Sequence, residues 1–199
     1  MEGQGYTETW LPTPEPANHF PPGYPALLAA WMGLVGTSVF AAKLLSGVAL
    51  FGVVSATYAL SGMVTGDRRI ALLVTAAAGL NAAMLRYGSL VMSEVPFALA
   101  SLLALLALVR AREALSAKGE AGWLAAVVLN LAASYYLRSI GLFLVGGIIG
   151  GAALRGRWRE AGIVAGGFAL LALPWFLYGR VFAAELYRFY PRGGAPTPP

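Results

Sequence analysis

Two ionisable residues stand out because the sequence around them is almost wholly apolar. Glu94, in RYGSLVMSEVPF, is the sole acid between Asp67 and Glu113. Pro96 beside it fits a first helical turn, where a missing N–H costs nothing. A carboxylate there is either an interfacial cap favoured by the helix dipole or a functional membrane acid. Arg138 interrupts SYYLRSIGLFL next to Tyr135 and Tyr136. It reads equally as an interface anchor within an aromatic belt or as a cation for a lipid-linked phosphate, which a guanidinium's planar donor fork suits. Arg86 and Arg180 fall at other helix ends, where snorkelling alone accounts for them. His19 is the single histidine; with Tyr24 it flanks the Phe20-Pro21-Pro22-Gly23 turn, a candidate outer-loop site. One histidine and no cysteine exclude a histidine-built metal site or triad, a thiolate centre and a disulfide from this chain. Asp67, the sole Asp, lies between glycine and two arginines and reads as a solvated turn.

The elements that position these residues must be membrane helices. Of 199 residues, 58% are hydrophobic and only 12% charged, with a mean hydropathy of +0.69. An ordinary soluble domain carries roughly 25% charge, so a soluble fold is excluded and a polytopic all-α bundle is expected. Residues 1–25 form a polar, Pro-rich outer loop without the basic start and apolar core of a signal peptide. Residues 26–36 are too short to span and predict an interfacial, membrane-parallel helix. Apolar runs near 38–62, 70–91, 94–111, 122–137, 140–154 and 161–178 predict about six spans, although the shorter runs reach only about 22–27 Å of helix. Asn81 and Asn130 inside these runs predict interhelical hydrogen bonds, and the pairs Gly146/Gly150, Gly147/Gly151 and Gly162/Gly166 predict close helix packing.

Eight of the fourteen bases cluster in alternate loops: Arg68 and Arg69; Arg110, Arg112 and Lys118; Arg155, Arg157 and Arg159. Clustered bases in short loops mark the cytoplasmic side. The net charge of +5 is thereby explained by topology, and no nucleic-acid partner is expected. Both chain ends then lie outside, which points to a chain shortened at its amino end.

The order of local motifs carries a resemblance. FPPGYPALLAAW (20–31), AAKLLSGVALFGVVSATYAL (41–60), RYGSLVMSEVPFALASLLALLAL (86–108), LRSIGL (137–142) and LPWFLYGRVF (173–182) resemble, in this order, the GT-C class of membrane glycosyltransferases. The likeness is to bacterial relatives of protein O-mannosyltransferases and aminoarabinose transferases. It implies inverting sugar transfer from a polyprenyl-phosphate donor, with membrane lipid as the other partner, on the outward side of a bacterial inner membrane. It implies Glu94 as a catalytic acid residue, Arg138 and Arg86 as lipid-phosphate ligands, and a divalent metal ion as an additional participant. The transmembrane core would run over 26–182, followed by an outer tail, 183–199. The family's first span and first-loop acid have no counterpart here, so an incomplete enzyme is expected. A non-catalytic scaffold or lipid-binding component is the alternative, and a transporter comes third for want of an internal repeat or a broken mid-span helix.

Overall fold

The computed structural model describes residues 21–180 in full, with the backbone of Thr7–Glu8, Glu15–Pro16 and the last helix as far as Leu186. Apart from the antiparallel pairing of Thr7–Glu8 with Glu15–Pro16, the described residues form a helical bundle. Its helices are α1 (Gly23–Val35), α2 (Val39–Thr65), α3 (Arg68–Gly79), α4 (Ala82–Gly88), α5 (Glu94–Glu113), α6 (Ala117–Leu137), α7 (Gly141–Leu154) and α8 (Trp158–Leu186).

Local chemistry sets the boundaries. Ser38 accepts the Ala41 amide at 3.0 Å before α2, Asp67 the Arg69 amide at 2.7 Å before α3, and Ser116 the Gly119 amide at 3.1 Å before α6. Each satisfies a first-turn N–H that has no partner within its own helix. Gly66, with φ 66°, closes α2 in the left-handed conformation that glycine adopts without a Cβ penalty. Asn81 breaks the 70–91 run: its Oδ1 accepts the amides of Ala83 and Met84 at 3.0 and 3.2 Å, and α3 and α4 meet at 60°. The expected interhelical role of the two asparagines is thus corrected. Asn81 caps α4, and Asn130 donates to the Ala126 carbonyl of its own helix at 2.9 Å.

All six apolar runs are helical, but they are unequal. Among the described residues α2, α5 and α8 are long and apolar enough to cross a membrane, and the bent pair α3–α4 makes a fourth if counted as one span. Helix α6 has sufficient length, with Lys118 and Glu120 in its first turn. Helix α7, at 14 residues, is about 21 Å long against a hydrocarbon core of about 30 Å. Six helical segments therefore stand where six full spans were expected.

Helix α5 lies at the centre. One of its faces packs Val95 against Ala49 and Val53 of α2, with Met84 and Tyr87 of α4 alongside. Its other face joins α6, α7 and α8 through Ala104, Ala107, Leu131, Val145, Ile148 and Val164. The interior is rich in alanine while Phe40, Phe51, Leu73 and Phe143 face outward. This arrangement suits lipid, where large side chains gain nothing by moving inward and small ones let backbones approach. The glycine pairs expected at these contacts are not the ones used. A Cβ on Gly146, Gly147, Gly150, Gly162 or Gly166 would meet nothing within 4 Å, whereas one on Gly23 or Gly141 would collide with backbone.

The charges divide between two ends. At one end Arg112 grips Glu160 through two nitrogens, at 2.6 and 3.3 Å, and Arg159 pairs with Glu120 at 2.9 Å. These contacts tie the end of α5 to the starts of α6 and α8, beside the basic loops. Glu94 and Arg138 occupy the opposite end, with the first half of α2 held beside them: Ser46 donates to the Leu90 carbonyl at 2.7 Å.

Candidate functional site

Three helix starts and one helix end converge around Glu94 and Arg138. Helix α5 begins at Glu94, with Pro96 in its first turn. Helix α6 ends at Leu137, and Arg138 follows in extended conformation. The Gly141 amide donates to the Arg138 carbonyl at 2.9 Å, turning the chain at once into α7. The turn is tight because Gly141 lies against the Ser134–Tyr135 backbone, where a Cβ would come within 2.8 Å of the Tyr135 nitrogen. Helix α1 enters from the third side, with Gly23 packed directly on the Tyr136 carbonyl.

The result is an ion pair on a cavity. Arg138 Nη1 lies 2.5 Å from Glu94 Oε1, the two side chains being 39% and 26% exposed. The adjoining cavity, about 500 Å³ in volume, is lined by polar residues, among them Tyr24, Ser93, Glu94 and Arg138, and by apolar ones that include Val91 and Ile140. Two buried side-chain atoms here have no hydrogen-bond partner among the described residues, Tyr24 Oη and Glu94 Oε2. Each such group costs about 1–3 kcal/mol when left unpaired, so both are poised for a ligand. Burial first, and then the Glu94 charge, push the Tyr24 phenol above the ordinary tyrosine value, and nearby Ser46 works the other way. The phenol therefore stays a donor across the physiological range.

Other sequence-derived candidates lie elsewhere. Arg86 is exposed in the last turn of α4 and does not line the cavity. His19 falls outside the described residues. The aromatic belt beside Arg138 turns inward instead: Tyr135 is buried and stacks on Phe176 at 5.9 Å, while the Tyr136 hydroxyl donates to the Leu171 carbonyl at 2.9 Å. Pro174, inside α8, cannot donate to the Leu170 carbonyl one residue before that acceptor. Among the described residues no three potential metal ligands cluster, and Glu94, the cavity's carboxylate, already faces a guanidinium. Reasoning on the sequence missed Ser46 and Gly23, although both lie inside the motifs AAKLLS and PPGYP.

The sequence model of the dolichyl-phosphate-mannose-protein mannosyltransferase family matches residues 28–190, well over half of the chain. The chain belongs to this family. It is a GT-C family, so the resemblance read from the ordered motifs holds. Membership makes the chain an integral membrane protein of mannosyltransferase type, and the helical bundle agrees. The matched range includes Arg86, Glu94 and Arg138 and begins after Tyr24. No curated protein and no solved structure matches the chain.

Proposed function

We propose that this mannosyltransferase-family chain moves a sugar from a polyprenyl-phosphate donor to a hydroxyl acceptor, with inversion, at the Glu94–Arg138 cavity. The observation that carries the reading is the ion pair itself: a carboxylate with one free oxygen and a guanidinium share a cavity of mixed polar and apolar lining. Glu94 takes the acceptor proton as the acceptor oxygen attacks the anomeric carbon. Arg138 holds the phosphate that leaves with the bonding electrons. The apolar lining residues, Val91 and Ile140 among them, suit the first isoprenoid carbons. Exposed Arg86 contributes attraction for the phosphate rather than a contact inside the cavity.

The basic loops gather at the opposite end of the bundle. The positive-inside tendency supports assigning that end to the cytoplasm and the cavity to the outward face of a bacterial inner membrane. The 26–182 core, with its outer loop and tail, remains our division of the chain. The bent pair α3–α4 supplies the broken span that the sequence reading did not expect. The Glu94–Arg138 pair nevertheless lies at helix ends outside it, and that placement favours a transferase over a transporter.

Glu94→Gln in the full chain tests the reading. Transfer of mannose from a polyprenyl-phosphate donor should fall by about 100-fold or more, with binding of the bare polyprenyl phosphate retained. Undiminished transfer would remove Glu94 from the chemistry and the reading with it.

A further inference from the structure

Among the described residues, two buried side-chain atoms lack a hydrogen-bond partner, and both belong to residues lining the same cavity. They are chemically complementary. A protonated phenol donates, while a carboxylate oxygen only accepts. A phosphate oxygen facing both would be repelled by the carboxylate, and an ammonium group has nothing to accept the phenol's proton. A hydroxyl group satisfies both, donating to the carboxylate and accepting from the phenol.

Tyr24 is also held in place. Gly23 packs on the Tyr136 carbonyl so closely that no Cβ fits, fixing the first turn of α1 against the last turn of α6. Trp31 Nε1 donates to the Ala41 carbonyl at 2.7 Å and fixes the same helix to α2. The nearby Ser46 hydroxyl donates to the Leu90 carbonyl. A side chain fixed by such neighbours is pre-organised for a ligand.

We propose that Tyr24 is a specificity-determining residue: its Oη and Glu94 Oε2 clamp one hydroxyl of a bound substrate, while Arg138 holds Oε1. The clamp rests on the cavity being the transfer site. The hydroxyl belongs either to the donor's sugar or to the acceptor, and the experiment separates the two.

The full chain in lipid nanodiscs is titrated with polyprenyl phosphate and with polyprenyl-phosphate mannose, and the KM of a threonine-bearing peptide is measured, for wild type and Tyr24→Phe. If the clamp holds the donor's sugar, the variant binds the mannosylated lipid about 3- to 10-fold more weakly and the bare phosphate as before. If it holds the acceptor, both lipid affinities stand and the peptide KM rises by a similar factor. In either case the effect shrinks in a Glu94→Gln background, because the two oxygens act together. Equal weakening of both lipids, or no change in any of the three measurements, overturns the clamp. A wild-type chain that neither prefers the mannosylated lipid nor transfers its sugar defeats the transfer reading and the clamp together. A wild-type preference that survives in Tyr24→Phe, with peptide KM unmoved, defeats the clamp alone.

Discussion

Arg138 illustrates how much the geometry of a single group decides. Its guanidinium pairs with Glu94 through Nη1, has further N–H donors and lines the cavity, an arrangement a point charge cannot copy. Arg138→Lys should therefore raise the donor KM nearly as much as Arg138→Gln, by about tenfold, readable in steady-state kinetics with a polyprenyl-phosphate sugar. Tyr24 offers a spectroscopic check. Its phenol ionises above the usual tyrosine value through burial and the Glu94 charge. The phenol is neutral when protonated, so Tyr24's contribution to stability is complete below the unfolded value and is lost as pH rises through the folded one. Ultraviolet difference titration against Tyr24→Phe should show the midpoint falling in Glu94→Gln, though not to the free value, because burial remains. Glu94 and Arg138 were legible in sequence because a charge amid apolar residues is conspicuous, but their pairing was not. They lie on different helices, and no spacing rule links residues 94 and 138. Tyr24 stood out only as a neighbour of a proline turn, since burial of its hydroxyl is a property of the assembled bundle.

The apolar runs all became helices, but fewer of them than expected are full spans, and the joints differ. Apolar runs bounded by charge were sufficient to place α2, α5 and α7 within a few residues, since in lipid the backbone must satisfy itself within each helix, whereas α6 starts earlier and α8 runs further than their runs. Which glycines make the close contacts was not legible, because small-xxx-small spacing marks a face without naming what meets it. Gly146 and Gly150 have the spacing and open space; Gly23 and Gly141 lack it and touch backbone. The contrast predicts that Gly141→Ala lowers stability by about 1–3 kcal/mol, through overpacking against the end of α6. Gly146→Ala should be neutral or stabilising by about 0.5–1 kcal/mol, as alanine favours the helix. Thermal unfolding of the detergent-solubilised chain distinguishes them. The elbow at Asn81 escaped notice for a related reason: an asparagine inside an apolar run looks like a polar pin between helices, and its capping role depends on the local backbone.

At the scale of the whole molecule, the separation of charges gives the bundle two chemically distinct ends. The chain has no cysteine, so single substitutions report sidedness without background. Leu115→Cys, in the fully exposed α5–α6 loop, should be labelled by a membrane-impermeant thiol reagent only from the cytoplasm, and Ser139→Cys only from outside. Arg112→Ala should cost about 2–3 kcal/mol, because Glu160, its side chain only 8% exposed, is left with Arg157 at 3.6 Å. Donor affinity at the far end should not change. The short helix α7 has its own bearing on how a donor arrives. It starts three residues after Arg138, with Phe143 82% exposed, and is about 9 Å shorter than the hydrocarbon it adjoins. Lipid beside an undersized helix thins to meet it. A bilayer thinned beside α7 brings its headgroup plane toward the Arg138 guanidinium.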